Sequence, residues 1–171
     1  SILFEGYGPG GAAILVEALT DNRNRTSADV RHAFTKHHGN LGEPGSVAWI
    51  FEKRGVVVVD GERYGEDDLI AAIDAGAEDV REDGPQLRVI CEPADLGAVR
   101  EALEGEGIEI ESADLAMEPK STVLVKGSEA EWLLKLVDAL EEHDDVNAVH
   151  ANFDVPQEII NAAIMDSGSF W

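Results

Sequence analysis

The chain has 171 residues, of which 44% are hydrophobic, and its 13 Lys and Arg against 35 Asp and Glu give a formal net charge of -22. The length and hydrophobic content allow one domain or two small ones, and no apolar stretch approaches the roughly 18 residues that a membrane helix needs. The excess of acid argues against a protein that wraps nucleic acid over its whole surface, because such binding draws largely on phosphate neutralisation.

The first half of the chain predicts a mixture of strands and helices. Residues 12–19 are rich in Ile, Leu and Val and fit a buried strand, although their periodicity leaves a helix open. Thr26 and Asp29 have capping-box spacing at the start of an amphipathic helix that ends at Gly39. The remaining predicted elements are a hairpin of strands at 47–51 and 56–59 with its turn at 53–55, a helix at 66–76 and a strand at 77–82.

The second half repeats this order. Its predicted elements are strands at 86–92, 108–117, 122–126 and 146–153 and helices at 94–104 and 128–140. Each half therefore reads β-α-β-β-α-β, and the predicted fold class is α+β, two ferredoxin-like βαββαβ sandwich units with helices on one sheet face. The expected domains are residues 1–83, residues 84–154 and a tail at 155–171 with a short helix, and the alternative is one unit inserted in the other.

Cys91 is the lone cysteine and stands in an apolar run, so we predict that it is a buried core residue. A single cysteine forms no internal disulfide, which fits a reducing compartment, and no charged-then-apolar leader opens the chain. These features predict a cytoplasmic location. The chain opens at Ser1 without a methionine, which leaves room for an upstream segment.

The motifs of enzymes and cofactor sites do not fit this sequence. The run at 6–11 matches G-x-G-x-x-G literally, but a strand-like segment follows it in place of the helix that the dinucleotide fingerprint requires. His37 and His38 follow His32 at spacings of five and six, whereas metal ligands on one helix face usually stand three or four apart. We therefore predict a non-enzyme without catalytic residues, metal or cofactors, and a half-buried structural role for His37.

The charges are distributed unevenly along the chain. Residues 1–54 carry six basic and six acidic side chains, and the remainder carries seven basic and 29 acidic ones. The first third is therefore neutral with local basic clusters, while the rest repels polyanions. Solubility accounts for the acid most simply, and a face for a basic partner is the alternative.

The candidate contact residues for nucleic acid or a ribosome lie in this neutral third. Arginine offers paired donors to phosphate, and asparagine offers a donor and an acceptor to bases or backbone groups. The predicted contacts are Asn22, Arg23, Asn24, Arg25, Arg31, His32, Lys36, Lys53 and Arg54, joined by the loop residues Tyr7, Gly8, Pro9 and Gly10. An internal arginine network through Asp21 and Asp29 is the alternative. Apart from Tyr7, few exposed aromatic residues are expected beside the cluster, so stacking on single-stranded bases is not the obvious mode of contact.

Several segments give the chain a close resemblance to the YebC/PmpR family, which includes bacterial proteins described as transcriptional regulators and a mitochondrial translational activator. They include Phe-Glu-Gly-Tyr-Gly-Pro-Gly-Gly at 4–11 and Val-Glu-Ala-Leu-Thr-Asp-Asn-Arg-Asn-Arg-Thr at 16–26. Shorter matches stand at 30–32, 39–42, 45–48, 75–79 and 144–146, and the resemblance covers residues 3–154.

The resemblance implies a non-enzymatic, DNA-binding transcriptional regulator, with a ribosome- or RNA-associated translation factor and an acidic protein-binding scaffold as alternatives. Family members begin with a basic three-helix domain that this chain does not contain. Nucleic acid, whether DNA or ribosomal RNA, is therefore expected to bind mainly with that domain, and neither a membrane nor a small-molecule substrate is expected as a partner. At His38 the family commonly has glycine, so no role is assigned to that histidine.

Overall fold

The computed structural model describes residues 1–154, which divide into two compact units. Among these residues the first unit comprises Ser1–Phe51 and 119–154, and the second is the continuous segment Glu52–Glu118. The strands are β1 (Ile2–Tyr7), β2 (Ala13–Ala18), β3 (Asn40–Leu41), β4 (Phe51–Asp60), β5 (Ala77–Asp83), β6 (Gln86–Cys91), β7 (Ile110–Pro119), β8 (Val123–Leu124), β9 (Val146–Ala151) and β10 (Phe153–Asp154). The α-helices are α1 (Arg23–Lys36), α2 (Ile70–Asp74), α3 (Leu96–Gly105) and α4 (Gly127–Glu141).

A four-stranded sheet with the order β3-β1-β2-β9 forms the centre of the first unit. β1 and β2 make an antiparallel hairpin in which Phe4 is opposite Val16, and β3 and β9 extend the sheet antiparallel on either side. The segment at 8–11, here called the glycine-rich loop, connects the two hairpin strands. β8 and β10 pair in parallel as a separate two-stranded sheet.

One face of this sheet packs against helices, because alternate residues of a strand point to the same side. Phe4, Ile14 and Val16 lie on that side and form one hydrophobic core with Phe34 of α1 and Leu133 of α4. All five side chains are less than a tenth exposed. This core places α1 on the sheet with its remaining side free for solvent.

The opposite face is covered by the segment at 43–51 and carries Leu15, which is 1% exposed. His150 is opposite Leu15 in the sheet, and its ring lies 6.5 Å from the ring of Phe51, at the end of that segment. The segment at 43–51 therefore covers part of the face opposite the helices, where Leu3 stays 52% exposed.

The second unit has the chain order β4-α2-β5-β6-α3-β7 and the sheet order β5-β6-β4-β7, which is the ferredoxin-like arrangement. Val57 and Val59 of β4 and Val89 of β6 share a sheet face and pack with Ala72 of α2 and Val99 of α3. The predicted class, α+β with two sandwich units, is confirmed.

The first unit reaches the same sheet by a permuted chain order. Its elements, read as β2-α1-β3-β1-α4-β9, reproduce both the β-α-β-β-α-β order and the sheet order of the second unit. The strand that completes this pattern is β1, which stands at the start of the chain instead of after β3. The sequence does not predict β1, because its short alternation runs directly into the glycine-rich loop.

The hairpin predicted at 47–59 is wrong. β4 runs through residues 53–55 without a turn, and residues 48–50 form a 3₁₀ turn ahead of it. Gly55 belongs inside this strand because a Cβ there would lie 2.8 Å from the sulfur of Cys91. The glycine therefore permits close packing, where the sequence pattern indicates a reversal of the chain.

The units do not divide at the expected boundary between residues 83 and 84. β5 and β6 pair from Ala77 to Cys91 as one antiparallel hairpin, so a boundary there would cut a continuous ladder. Glu52–Glu118 instead stands between the two parts of the first unit. The Lys120 N–H donates to the Ile50 carbonyl at 2.8 Å, close to where the inserted segment begins and ends. The tail expected at 155–171 lies outside the described residues.

Candidate nucleic-acid interface

Helix α1 begins at Arg23, earlier than the capping-box spacing predicts. Asn22 is its N-cap, and the Asn22 side chain accepts a hydrogen bond from the Arg25 N–H at 3.2 Å. Thr26 therefore lies inside the helix, where it is fully buried. The start predicted at Thr26 is wrong because Asn22 already satisfies one of the free N–H groups of the first turn.

The outer side of α1 is basic. The helix contains four Arg or Lys residues and a single acid, Asp29, in a chain whose net charge is -22. The side chains of Arg23, Arg31 and Lys36 are exposed, and none of them forms an ion pair with a described residue. Of the other predicted contacts, Asn22, Asn24 and His32 are exposed in the same region. The helix thus offers uncompensated positive charge to solvent.

Arg25 differs from its neighbours because it is tied to the loop that precedes β9. Its guanidinium lies 3.4 Å from the carboxylate of Asp145, which also accepts a hydrogen bond from the Thr26 hydroxyl at 2.9 Å. The hydrogen bond from Thr26, together with Arg25, lowers the pKa of Asp145, although partial desolvation acts to raise it. Asp29 binds the His143 ring at 2.9 Å. An internal network therefore exists, but the partner of its arginine comes from a distant loop.

An open groove of about 500 Å³ runs beside α1. Arg23, Ser27 and Arg31 reach it from successive turns, since residues four apart share one side of a helix. Residues 1–5 and 41–44 line the rest of the groove. Two unpaired arginines therefore face one concave surface, which also contains Glu43 and the backbone-bonded Glu5. The arginines offer this groove to an anion on the side of α1.

Lys53 and Arg54 lie on β4, in the second unit. Arg54 is paired with Glu52, with Glu78 at 3.1 Å and with Glu92 at 2.8 Å. Burial opposes the charged form of Arg54, but these three carboxylates raise the pKa of its guanidinium. Arg54 is thus occupied within its own unit, whereas the Lys53 side chain is exposed.

The glycine-rich loop packs against α4. A Cβ at Gly8 would lie 2.6 Å from a methyl carbon of Leu133, and Gly10 has a φ of 77°, in the region that favours glycine. Gly8 and Pro9 are buried, whereas Tyr7 and Gly10 are exposed. Because β2 and not a helix follows this loop, it cannot present a helix N-terminus to a pyrophosphate.

The end of α1 lies against Trp132 of α4. The half-buried His37 ring has its Nδ1 2.8 Å from the Ala33 carbonyl oxygen, as expected for a structural histidine. His38 has a φ of 65°, where glycine is favoured, and its ring meets Trp132 edge-on with 4.3 Å between centroids. The Lys135 ammonium lies 4.9 Å from the centre of the Trp132 ring. This indole is therefore already in contact with residues of its own unit.

Glu5 holds the segment at 43–51 against the sheet, a role that the sequence does not reveal. The side chain is 6% exposed, and its carboxylate accepts hydrogen bonds from the N–H groups of Gly45 at 2.7 Å, Val47 at 3.0 Å and Ala48 at 2.7 Å. Burial alone would raise the pKa of Glu5, but the three N–H donors together hold it below the ordinary value. A buried negative charge therefore fixes this loop through the backbone.

Two aromatic side chains stand exposed beside this loop. Trp49 is 67% exposed and Tyr7 is 39% exposed. The Trp49 Nε1–H donates to the Ser46 carbonyl at 3.0 Å, and the Tyr7 hydroxyl donates to the same oxygen at 3.4 Å. Trp49 is thus an exposed aromatic side chain that the sequence pattern does not predict. The sequence pattern indicates a strand at this position, but the 3₁₀ turn directs the indole outward.

Other chemically reactive groups do not form a site in the part of the chain that the structure describes. Within residues 1–154 no group of three or more His, Cys, Asp or Glu side chains is arranged to hold a metal ion. Cys91 is buried in the core of the second unit, as predicted, and burial with the nearby Asp95 and Glu78 raises the pKa of its thiol. None of the helices in this range is long and apolar enough to cross a membrane.

Comparison with known proteins identifies relatives over most of the chain. Residues 1–153 match the family model described as TACO1/YebC second and third domain. A protein of Rubrobacter xylanophilus named probable transcriptional regulatory protein is 54% identical over 160 residues, which cover 93% of this chain and 64% of the relative. A protein of the same description from Desulfotalea psychrophila is 52% identical over 161 residues, with 93% and 64% covered. The chain thus spans 64% of the length of these relatives.

The fold also matches a solved structure. The crystal structure of a conserved hypothetical protein from Aquifex aeolicus superposes with a TM-score of 0.80 at 45% sequence identity. The match covers 91% of this chain and 65% of the Aquifex chain. The arrangement of strands and helices described above is therefore shared with a protein of known structure.

Proposed function

The chain belongs to the TACO1/YebC family, and from this membership we propose that it is a non-enzymatic regulator of gene expression that contacts nucleic acid through α1. The name of the curated relatives supports a role in regulation. The observation that carries the proposed contact is the exposed, unpaired positive charge of Arg23, Arg31 and Lys36. Arginine and lysine side chains of this kind position a protein on a phosphate backbone.

The acidic remainder limits the contact to this helix. The segment Glu52–Glu118 contains 20 Asp and Glu against six Lys and Arg, so it repels a polyanion. Arg25 and Arg54 have carboxylate partners, and we therefore place them at the edge of the interface or outside it. The proposed contact residues are Asn22, Arg23, Asn24, Arg31, His32 and Lys36.

DNA and ribosomal RNA share the phosphate chemistry that this surface fits. The name of the relatives favours DNA as the target of a transcriptional regulator. Exposed aromatic side chains in the first unit favour RNA, whose loops display unpaired bases. Both targets agree with the predicted cytoplasmic location.

Co-sedimentation of the chain with ribosomes, in competition with excess duplex DNA, tests both targets in one experiment. Retention on ribosomes identifies a translation factor, and transfer to the DNA identifies a transcriptional regulator. The double variant Arg23→Ala/Arg31→Ala should weaken binding tenfold or more and reduce the slope of log affinity against log salt by about two for duplex DNA.

Arg63→Ala/Arg100→Ala is the matched control, because both arginines are more than half exposed but lie in the acidic second unit. This variant should bind like the unaltered chain. Equal losses in the two double variants, or no loss in either, would contradict the assignment of the contact to α1.

An acidic scaffold is the second candidate function, and the charge of Glu52–Glu118 favours it. A scaffold of this kind would capture polylysine in a salt-sensitive manner, and Arg23→Ala/Arg31→Ala would leave that capture unchanged. Capture of polylysine without binding of any nucleic acid would support the scaffold over the regulator.

A further inference from the structure

Tyr7 and Trp49 present large aromatic surfaces to solvent in a position that the fold does not require. Trp49 is 67% exposed, and its indole is the most exposed of the large hydrophobic side chains that the structure describes. Aromatic side chains of this size are usually buried or placed where a partner covers them. Their exposure therefore indicates a surface that a ligand can cover.

A shared hydrogen-bond acceptor holds the two side chains in place. Both donate to the Ser46 carbonyl, which keeps the Trp49 indole and the Tyr7 phenol close to each other. Ser46 itself belongs to the loop that Glu5 anchors through three backbone N–H groups. An aromatic surface that is already ordered loses little conformational entropy when a ligand stacks on it.

The same loop connects this aromatic pair with the positive charge of α1. Gly42, Glu43 and Pro44 line the groove that Arg23 and Arg31 reach, and Ser46 follows directly along the chain. A ligand that extends from the groove to the aromatic pair would meet cationic groups first and flat apolar surfaces next. Alternating phosphates and bases in an unpaired strand have this chemistry, and base-paired nucleic acid does not expose its base faces.

We propose that Tyr7 and Trp49 form a stacking platform for unpaired bases of RNA, with the backbone of that strand held in the groove by Arg23 and Arg31. This inference rests on the proposed function and specifies its ligand as single-stranded RNA. RNA is favoured over DNA because its loops and bulges offer splayed bases, whereas DNA is paired over most of its length.

Anisotropy of a labelled unpaired polyuridine and of a labelled DNA duplex, each titrated with the full chain, tests the platform. Trp49→Ala should weaken polyuridine binding by about 5- to 100-fold and leave duplex binding unchanged, as expected for the loss of one stacked base. Trp49→Phe should retain most of the affinity because it keeps an aromatic face. Trp132→Ala is the control, since that indole already contacts His38 and Lys135.

Five outcomes decide the question once urea unfolding has shown that each variant is folded. A selective loss with Trp49→Ala supports the platform. Equal losses for polyuridine and duplex, or an equal loss with Trp132→Ala, overturn it. Binding of both nucleic acids that Trp49→Ala leaves unchanged overturns the platform but preserves the proposed function, whereas no binding by the unaltered chain overturns both.

Discussion

Glu5 shows at the scale of a single residue how this fold accommodates a charge in its interior. Its neighbours on the same sheet face include the fully buried Ala13 and Leu15, yet the carboxylate has three backbone donors within 3.0 Å. Hydrogen bonds to a charged group are stronger than those between neutral groups. The loop from Gly45 to Ala48 is therefore fixed by charge as much as by apolar contact.

Replacement of Glu5 by Gln should lower the free energy of unfolding by about 2–3 kcal/mol, because the amide keeps one acceptor and turns its NH₂ group toward backbone donors. The folded-state pKa of Glu5 lies below the ordinary value of 4.5. Its contribution to stability is therefore complete above about pH 4.5 and is lost as the pH falls through the folded-state pKa. Urea unfolding across this range should show that the difference in free energy of unfolding between Glu5→Gln and the unaltered chain becomes smaller in acid.

Glu17→Gln is the matched control, because Glu17 lies on the same sheet face and binds His150 at 2.5 Å, but its side chain is 43% exposed. A partly exposed pair contributes at most about 1 kcal/mol. A Glu17→Gln loss as large as that of Glu5→Gln, or a Glu5→Gln loss that persists in acid, would show that the charge of Glu5 is not what holds the loop.

The contact between the glycine-rich loop and α4 belongs to the scale of elements. Gly8 and Leu133 approach so closely that a side chain at Gly8 would force the buried Leu133 to shift. Gly39 does the same at the end of α1, where a Cβ would lie 2.7 Å from the Tyr7 carbonyl oxygen. The glycines of this region thus set the spacing between elements.

Gly8→Ala should therefore destabilise the protein by about 1–3 kcal/mol, since the added methyl overlaps Leu133. Gly97→Ala is the opposite case, because Gly97 lies in α3 and nothing stands within 4 Å of its added Cβ. That substitution should stabilise the protein by about 0.5–1 kcal/mol through helix propensity. Thermal unfolding should show a lower melting temperature for Gly8→Ala and a higher one for Gly97→Ala. Shifts in the same direction would refute the packing argument.

Helices with an apolar stripe were predictable at this scale, and the strands that adjoin or contain the glycines of residues 6–55 were not. The stripe of α4 is apolar at helical spacing and buries Leu133, Leu136 and Leu140. Gly55 and the glycine-rich loop have the local composition of turns, but Gly55 lies within β4. Local composition does not distinguish a glycine needed for reversal from one needed for close approach.

At the scale of the whole molecule, the described residues form one unit whose chain is interrupted by the other. Each unit has its own hydrophobic core, and the backbone of the first is joined across the insertion by the bond between Lys120 and Ile50. The inserted segment has the complete β-α-β-β-α-β order. A continuous segment with its own core and complete sheet meets the usual requirements of a domain.

The segment Glu52–Glu118, expressed alone, should therefore fold with a single cooperative transition. Its acids outnumber its bases by 14, so mutual repulsion should be relieved by salt and its melting temperature should rise as sodium chloride is added. Circular dichroism melts at increasing salt measure both effects. Non-cooperative melting at every salt concentration would mean that the segment depends on the rest of the chain.

The family resemblance and the charge asymmetry could be recognised without coordinates, and so could the candidate basic cluster. Residue counts and short motifs are enough for those conclusions. Which members of the cluster are free could not be recognised, because Arg25 meets Asp145 and Arg54 meets Glu92 only after folding. The assignment of the contact surface itself stays a prediction for the binding experiments.

The sequence by itself determined the α+β class, the buried Cys91, most strands and helices, and the family, because these follow from local periodicity and contiguous motifs. Only the tertiary structure decided the permuted place of β1, the insertion, the partners of Glu5 and the exposure of Trp49. Each of these depends on residues far apart along the chain, and a local sequence pattern does not specify which distant segment will pair with it.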